Sequence, residues 1–171
     1  ITGGANIPHM RQVVQSNMAK QGKYCKCIRC REIKNRNINL TDIYYKTISY
    51  MANRGTEYYI SANVPALEGH PYQSTLLGFL RLRINPQGKL RIPTLLNSSI
   101  VRELHVYGRM KPTYDKNLDT NHTQHRGIGK ELLKKAENIT RDNGLNKISV
   151  ISGVGVRKYY EKRGYRLENS Y

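Results

Sequence analysis

Acidic residues are scarce, tryptophan is absent and phenylalanine occurs once in this chain of 171 residues, where 29 Lys and Arg face 12 Asp and Glu for a net charge of +17. A surface short of carboxylates repels basic partners and attracts polyanions, nucleic acid first, with an anionic cofactor or a membrane surface as alternatives. No apolar run approaches the roughly 18 to 20 residues of a membrane-spanning helix, so none is expected. The opening ITGGANIPHM lacks the basic, apolar, small-residue order of a signal peptide, which points to a soluble chain. With no Trp and an apolar content of 38%, the core is modest, which fits one domain with a short appendage. Thirteen Tyr and a charged content of only 24% exclude a disordered basic tail, so the surplus charge sits on a folded surface.

Cysteine is also sparse. Cys25, Cys27 and Cys30 form C-x-C-x-x-C and no other cysteine exists to pair with them. Disulfides between such near neighbours are strained and leave one thiol over, so a reducing compartment, here the cytoplasm, is expected. The spacing lets three thiolates reach one tetrahedral zinc, whose fourth ligand would come from elsewhere, among His9, His70, His105, His122 and His125. Three unligated thiols are the alternative. The spacing is not the C-x-x-x-C-x-x-C that holds a radical-generating iron–sulfur cluster. Around the thiols lies the densest cationic run, Lys20, Lys23, Lys26, Arg29, Arg31, Lys34 and Arg36, opposed only by Glu32. It reads either as a solvated linker or as a polyanion-binding surface that supplies affinity more than selectivity.

Periodicity predicts the elements. Met10 to Ala19 carries Met10, Val13, Val14 and Met18 on one helical stripe, expected to pack. Residues 38–51 fit either alternation or a helix; a strand is preferred because Asn53-Arg54-Gly55 then turns the chain into Glu57 to Ser61. Pro65, Gly69 and Pro71 mark Asn63 to Ser74 as a loop. LLGFLRLRI (76–84) reads as a central strand before a turn at 85–88, and IVRELHVY (100–107) as a second. In the latter, strict alternation puts Arg102 with Leu104 and Val106 on one face and Glu103, His105 and Tyr107 on the other. A polar stretch leads to a helix over Gly129 to Asn143, stopped at Gly144. A strand at 147–152, a short helix at 156–162 and a last strand at 165–168 complete the reading.

The strand IVRELHVY is followed, after that loop, by Gln124-His125-Arg126-Gly127-Ile128-Gly129 opening an amphipathic helix. A helix start presents unpaired N–H groups and positive dipole, and glycine lets an anion approach the backbone. The loop is not a Walker A sequence, and its Gly-x-Gly lacks the third glycine of a dinucleotide fingerprint. On position it resembles the pyrophosphate loop of the GCN5-related N-acetyltransferases (GNAT).

IVRELHVYG (100–108), QHRGIGKELLKKAE (124–137), KISVISGVGVRKYYEKRGY (147–165), CKCIRCREI (25–33) and LLGFLRLR (76–83) together resemble the acetyltransferase-like domain of the catalytic-subunit family of Elongator, a tRNA-modifying enzyme. The resemblance implies an α/β GNAT fold over residues 37–171, with a mixed sheet whose splayed parallel strands admit acetyl-CoA, preceded by a linker helix and zinc-binding segment over 1–36. On that reading Glu103, Leu104, His105 and Val106 border the pantetheine arm, and Gln124, His125, Arg126, Gly127, Ile128, Gly129 and Lys130 hold the pyrophosphate. Tyr159 and Tyr160 would lie near the thioester, with Tyr160 favoured as a general acid; plain ring packing is the alternative for both. Glu103 and His105 are acid–base candidates, with an ordinary strand role as the alternative. Cys25, Cys27 and Cys30 match the family's zinc motif.

The family's complete subunit adds a radical domain, with S-adenosylmethionine and a 4Fe-4S cluster absent from this chain, and modifies C5 of the tRNA wobble uridine. Expected partners are tRNA, that radical domain and other Elongator-like subunits, with no membrane. The alternatives are a lysine or histone acetyltransferase, which the charge of +17 disfavours, and a non-catalytic zinc-stabilised RNA-binding module.

Overall fold

The computed structural model describes residues 9–34, 42–66, 74–86, 92–108, 127–169 and 171. Helices α1 (Met10–Lys20) and α2 (Ile28–Arg31) precede four strands, β1 (Tyr44–Ala52), β2 (Gly55–Pro65), β3 (Ser74–Ile84) and β4 (Ser98–Val106). Helix α3 (Ile128–Asp142), strand β5 (Lys147–Val150) and the short helix α4 (Arg157–Glu161) follow. The sheet order is β1-β2-β3-β4-β5, antiparallel through β4, with β5 parallel to β4 and α3 as the crossover. Among the described residues no helix is long and apolar enough to cross a membrane.

Asn53 and Arg54, with φ of 45° and 62°, form the two-residue turn between β1 and β2, because two successive left-handed residues match the strands' own twist. Across β2, β3 and β4, alternation sends Ile60, Leu80, Leu82 and Val101 to one face. There α3 lays down Ile128, Leu132, Leu133 and Ala136, all buried, to make the core. The helix ends as its sequence predicts, with Gly144 at φ +73°.

Four expectations are corrected. The stretch 63–74 is not all loop, for Asn63 to Pro65 remain in β2 and Ser74 opens β3. No strand forms at 165–168; Glu168 and Tyr171 instead exchange backbone hydrogen bonds of 2.8 and 2.9 Å. The apolar stripe of α1 does not pack, since Met10, Val13 and Val14 are exposed and the helix is anchored by Arg11 and Gln15, which reach the cysteines. Finally, strict alternation in β4 breaks at Arg102. Arg81 pairs with Glu103 and Leu82 with Val101, so Arg102 bulges out and turns to the face of Glu57 instead of that of Leu104.

Glu57 is buried there, and its Oε1 accepts hydrogen bonds from Arg83 Nη1 at 2.9 Å and Arg102 Nη1 at 2.7 Å. Burial pushes its carboxyl upward, but the two guanidiniums outweigh that and hold it below the usual range. Its contribution is therefore present above the ordinary carboxylate range and is lost as pH falls through the lowered value. Removing the carboxylate leaves the mostly buried Arg83 with the Ala52 and Asn53 carbonyls but without its counter-charge, so Glu57→Ala should cost about 3 kcal/mol in chemical denaturation at pH 7.

Candidate active site and cysteine cluster

Strands β4 and β5 stay together for only a few residues. Pairing runs from Ser98 and Lys147 to Val101 and Val150, and closes with Ile151 N–H donating to the Val101 carbonyl at 3.0 Å. From Arg102 to Val106, β4 keeps β3 on one side and, among the described residues, has no strand on the other. An open strand edge of this kind leaves backbone donors and acceptors free for an extended ligand.

Helix α3 starts at this gap. Gly127 caps it at φ +73°, a conformation that disfavours side chains, and Glu131 N–H already bonds back to the Gly127 carbonyl at 3.0 Å. The first-turn N–H groups after Gly127 have no intrahelical acceptor. At Gly129 a Cβ would collide with the hydroxyl of Tyr159 and stand 3.6 Å from Val106 Cγ2, so any other residue there displaces the tyrosine. The end of β4, the start of α3 and a tyrosine of α4 thus meet at one point. Ile128 is buried in the core while Lys130 is exposed beside it. Gln124, His125 and Arg126 lie outside the described residues.

The adjacent tyrosines diverge. Tyr159 turns its hydroxyl to Gly129, with the Arg163 guanidinium 3.5 Å from its ring centroid. Burial raises its pKa and Arg163 opposes the rise, so at neutral pH the phenol keeps its proton and can donate. Tyr160 is buried in the core, edge-on to Tyr159 at 5.2 Å and to Tyr165 at 5.7 Å. It lines a different cavity of about 540 Å³, between β5 and the C-terminal segment. The other site residues of β4 divide by face. Leu104 and Val106 pack against the core, whereas Glu103 and His105 are exposed on the opposite side, Glu103 being 3.8 Å from Arg81 Nη1.

The three thiols also come together. The sulfurs of Cys25, Cys27 and Cys30 all lie within 4.8 Å of one another. Ligands at about 2.3 Å from a tetrahedral zinc stand close to 4 Å apart, so the cluster fits that ion with a small contraction. Arg11 Nη2 donates to Cys27 at 3.4 Å and to Cys30 at 3.1 Å, and Gln15 Nε2 donates to Cys30 at 3.0 Å. The Arg11 hydrogen bond, against the opposing effect of burial, brings the Cys27 thiol down to about 6, the thiolate state that a metal requires. Among the described residues no further His, Cys, Asp or Glu joins this group. His105 lies on β4 instead, and His70, His122 and His125 are outside the described residues. Sequence reading did not find Arg11 and Gln15, although their separation of four places both on one side of α1.

Around the cluster, Lys20, Lys23, Lys26, Arg29 and Lys34 are exposed, Arg31 is half-buried, and Arg36 is outside the described residues. The segment adjoins the sheet through Ile33, whose N–H donates to the Leu76 carbonyl at 3.0 Å. It therefore reaches the same sheet end as Val106, since Gly78 of β3 pairs with Val106.

A parallel strand pair that parts beside a glycine-opened helix defines a GNAT acetyltransferase domain, and the acetyltransferase (GNAT) domain family matches residues 120–170. Within that class the chain is homologous over its whole length to Elongator complex protein 3. It is 35% identical to the Homo sapiens protein over 181 residues, covering 100% of this chain and 31% of that one. Against the Schizosaccharomyces pombe protein the identity is 37% over 177 residues, with the same coverage of 100% and 31%. The chain thus spans about a third of the length of these relatives. Among solved structures, a putative acetyl transferase from Pyrococcus furiosus overlays 66% of this chain and 60% of its own, with 21% identity and a TM-score of 0.41.

Proposed function

We propose that this chain is the acetyl-CoA-binding part of an enzyme that modifies C5 of the tRNA wobble uridine, and that it hydrolyses or hands on the acetyl group when tRNA is engaged. Residues 37–171 form the acyl-CoA domain in this reading, and 1–36 a zinc-stabilised linker. The observation that carries it is the convergence of Val106, Gly129 and Tyr159 where β4 parts from β5.

First-turn N–H groups of α3, over Gly127, Ile128, Gly129 and Lys130, would hold the pyrophosphate, with Gln124, His125 and Arg126 preceding them. The open edge of β4, from Glu103 through Leu104 and His105 to Val106, would pair with the pantetheine arm. Bound there, acetyl-CoA supplies an activated thioester carbonyl. Tyr159, protonated at neutral pH, stands beside Gly129, where the pantetheine arm would meet the pyrophosphate. As placed, its hydroxyl can donate a hydrogen bond that holds the cofactor rather than a proton to the thioester at the far end of the arm, and the ring of Tyr160 belongs to the core. Glu103 and His105 stand on the other face, where they could exchange protons only with a group arriving from that side. Cationic residues from Lys20 to Arg36 would hold RNA phosphates. The radical domain with its S-adenosylmethionine and iron–sulfur cluster, and other Elongator subunits, are the proposed partners of this part.

The test is acetyl-CoA hydrolysis with and without tRNA. Stimulation by tRNA supports the reading; acetylation of a histone peptide without any tRNA effect replaces it with a lysine acetyltransferase. Tyr159→Phe should weaken acetyl-CoA binding in calorimetry by about tenfold, the loss of one hydrogen bond beside the pyrophosphate loop. Tyr160→Phe should retain near wild-type turnover.

A further inference from the structure

The sheet face turned away from α3 carries a row of rings. Phe79 of β3, itself buried, stacks on Tyr59 of β2 at 5.4 Å and 28°, and on His105 of β4 at 6.2 Å and 19°. Tyr107 stands 4.5 Å from His105 and 6.2 Å from Phe79. Tyr50 of the edge strand closes one side of the resulting groove, whose volume is about 630 Å³, within the range of small-molecule sites. Arg81 and Glu103 line it from the sheet, and Arg29 of α2 lines it from the cysteine segment. Ile28 and Glu32 line it from the same segment, so of the cationic stretch Arg29 reaches the groove and the lysines flank it.

Planar rings at near-parallel tilt accept another flat π-system, and cations along the rim of such a platform meet a phosphate backbone, so the two features together select a nucleotide over a peptide or a lipid. We propose that this groove takes an unpaired base of RNA against the His105 and Tyr107 rings, which the stacked Phe79 and Tyr59 rings hold in place, while Arg29 and the neighbouring lysines of the cysteine segment hold the flanking phosphates. The proposal rests on the RNA-engaging reading above and adds where, and in what conformation, the RNA is held: single-stranded, with a base laid against the sheet. The Glu103 carboxylate, at the edge of the platform, can accept from an N–H on the base edge, which would give the groove its selectivity.

The experiment is fluorescence anisotropy of the whole chain with three labelled probes at several salt concentrations. They are an eight-nucleotide single-stranded RNA, the same strand with abasic ribose at its central positions, and an RNA duplex of equal length. Stacking one base predicts that the intact strand binds about tenfold more tightly than the abasic strand, with the same salt slope for both because the phosphate contacts are shared. In the Tyr59→Leu/Tyr107→Leu chain that tenfold advantage should vanish while binding of the abasic strand remains. Tyr50→Ala, an exposed edge-strand change, should reduce the advantage and leaves the fold intact if the pair does not. Equal binding of intact and abasic strands by the wild-type chain overturns the proposal while leaving the RNA reading in place. Failure to bind tRNA or any probe at low salt overturns both, and an advantage that survives all the ring substitutions overturns the assignment to this groove.

Discussion

Replacing Gly129 with glutamate is expected to weaken acetyl-CoA binding at least about 100-fold. Two effects act in the same direction. A Cβ at this position collides with the Tyr159 hydroxyl, so the tyrosine must swing away from the loop proposed to hold the pyrophosphate. The new carboxylate also competes with the pyrophosphate for the free N–H groups of the first turn. Charge-assisted hydrogen bonds of this kind contribute about 1.5 to 3 kcal/mol each, and losing two of the weaker ones is already about 100-fold in affinity. Helix stability cannot account for such a loss, since an acidic side chain in the first turn of α3 favours the helix dipole. Gly129→Ala isolates the steric part and should give an intermediate loss in calorimetry. Unchanged acetyl-CoA affinity in the glutamate variant would sink the assignment of this cleft.

Zinc content is the second large effect. The wild-type chain should carry about one zinc ion, and Cys27→Ser none, by metal analysis of the purified protein. Most of the core is built by β2, β3, β4 and α3, with Ile33 of the cysteine segment joining it, so melting should fall only modestly. What a bound metal would organise is local: α1 reaches the thiols through Arg11 and Gln15, and the residues just after α2 reach the sheet through the Ile33 to Leu76 hydrogen bond. Without the ion, the thiolates repel one another and this anchoring is lost, so trypsin should cut between Lys20 and Lys34 at least tenfold faster. The same treatment should abolish the base-dependent part of RNA binding, because Arg29 on α2 is a wall of the aromatic groove. Equal zinc content in both chains would refute the metal site.

Much of the scaffold was legible because its signals are periodic. The runs at 76–84 and 100–107 became β3 and β4, and Leu132, Leu133 and Ala136 marked the buried side of α3. Where a reading failed, the deciding partner lay far away in sequence. The extension of β2 past Asn63 depends on β3, and the bulge at Arg102 on a register with Arg81 and Leu82 that no local pattern shows. The stripe on α1 predicted packing, yet the thiols draw the helix by its polar side. Tyr159 and Tyr160 are consecutive on a helix, so their side chains leave about 100° apart. One meets Gly129 and the other the core, and only the placement of α4 decides which.

The scarcity of acids, the C-x-C-x-x-C spacing and the glycine-opened amphipathic helix are local properties of the chain. By themselves they determined that this protein is cationic, that its three thiols are near enough in sequence to meet one ion, and that an anion could dock at residues 127–130. Tertiary structure alone decided how those properties are combined. Strand register across β2, β3 and β4 aligns Tyr59, Phe79 and His105 into one face, and the docking of α2 on Leu76 sets Arg29 beside it. The parting of β4 from β5 then leaves Val106 pointing to the start of α3 while its neighbours His105 and Tyr107 point to the groove. Alternation along a single strand is the physical reason that the proposed cofactor cleft and the proposed RNA groove lie on opposite faces of the same few residues.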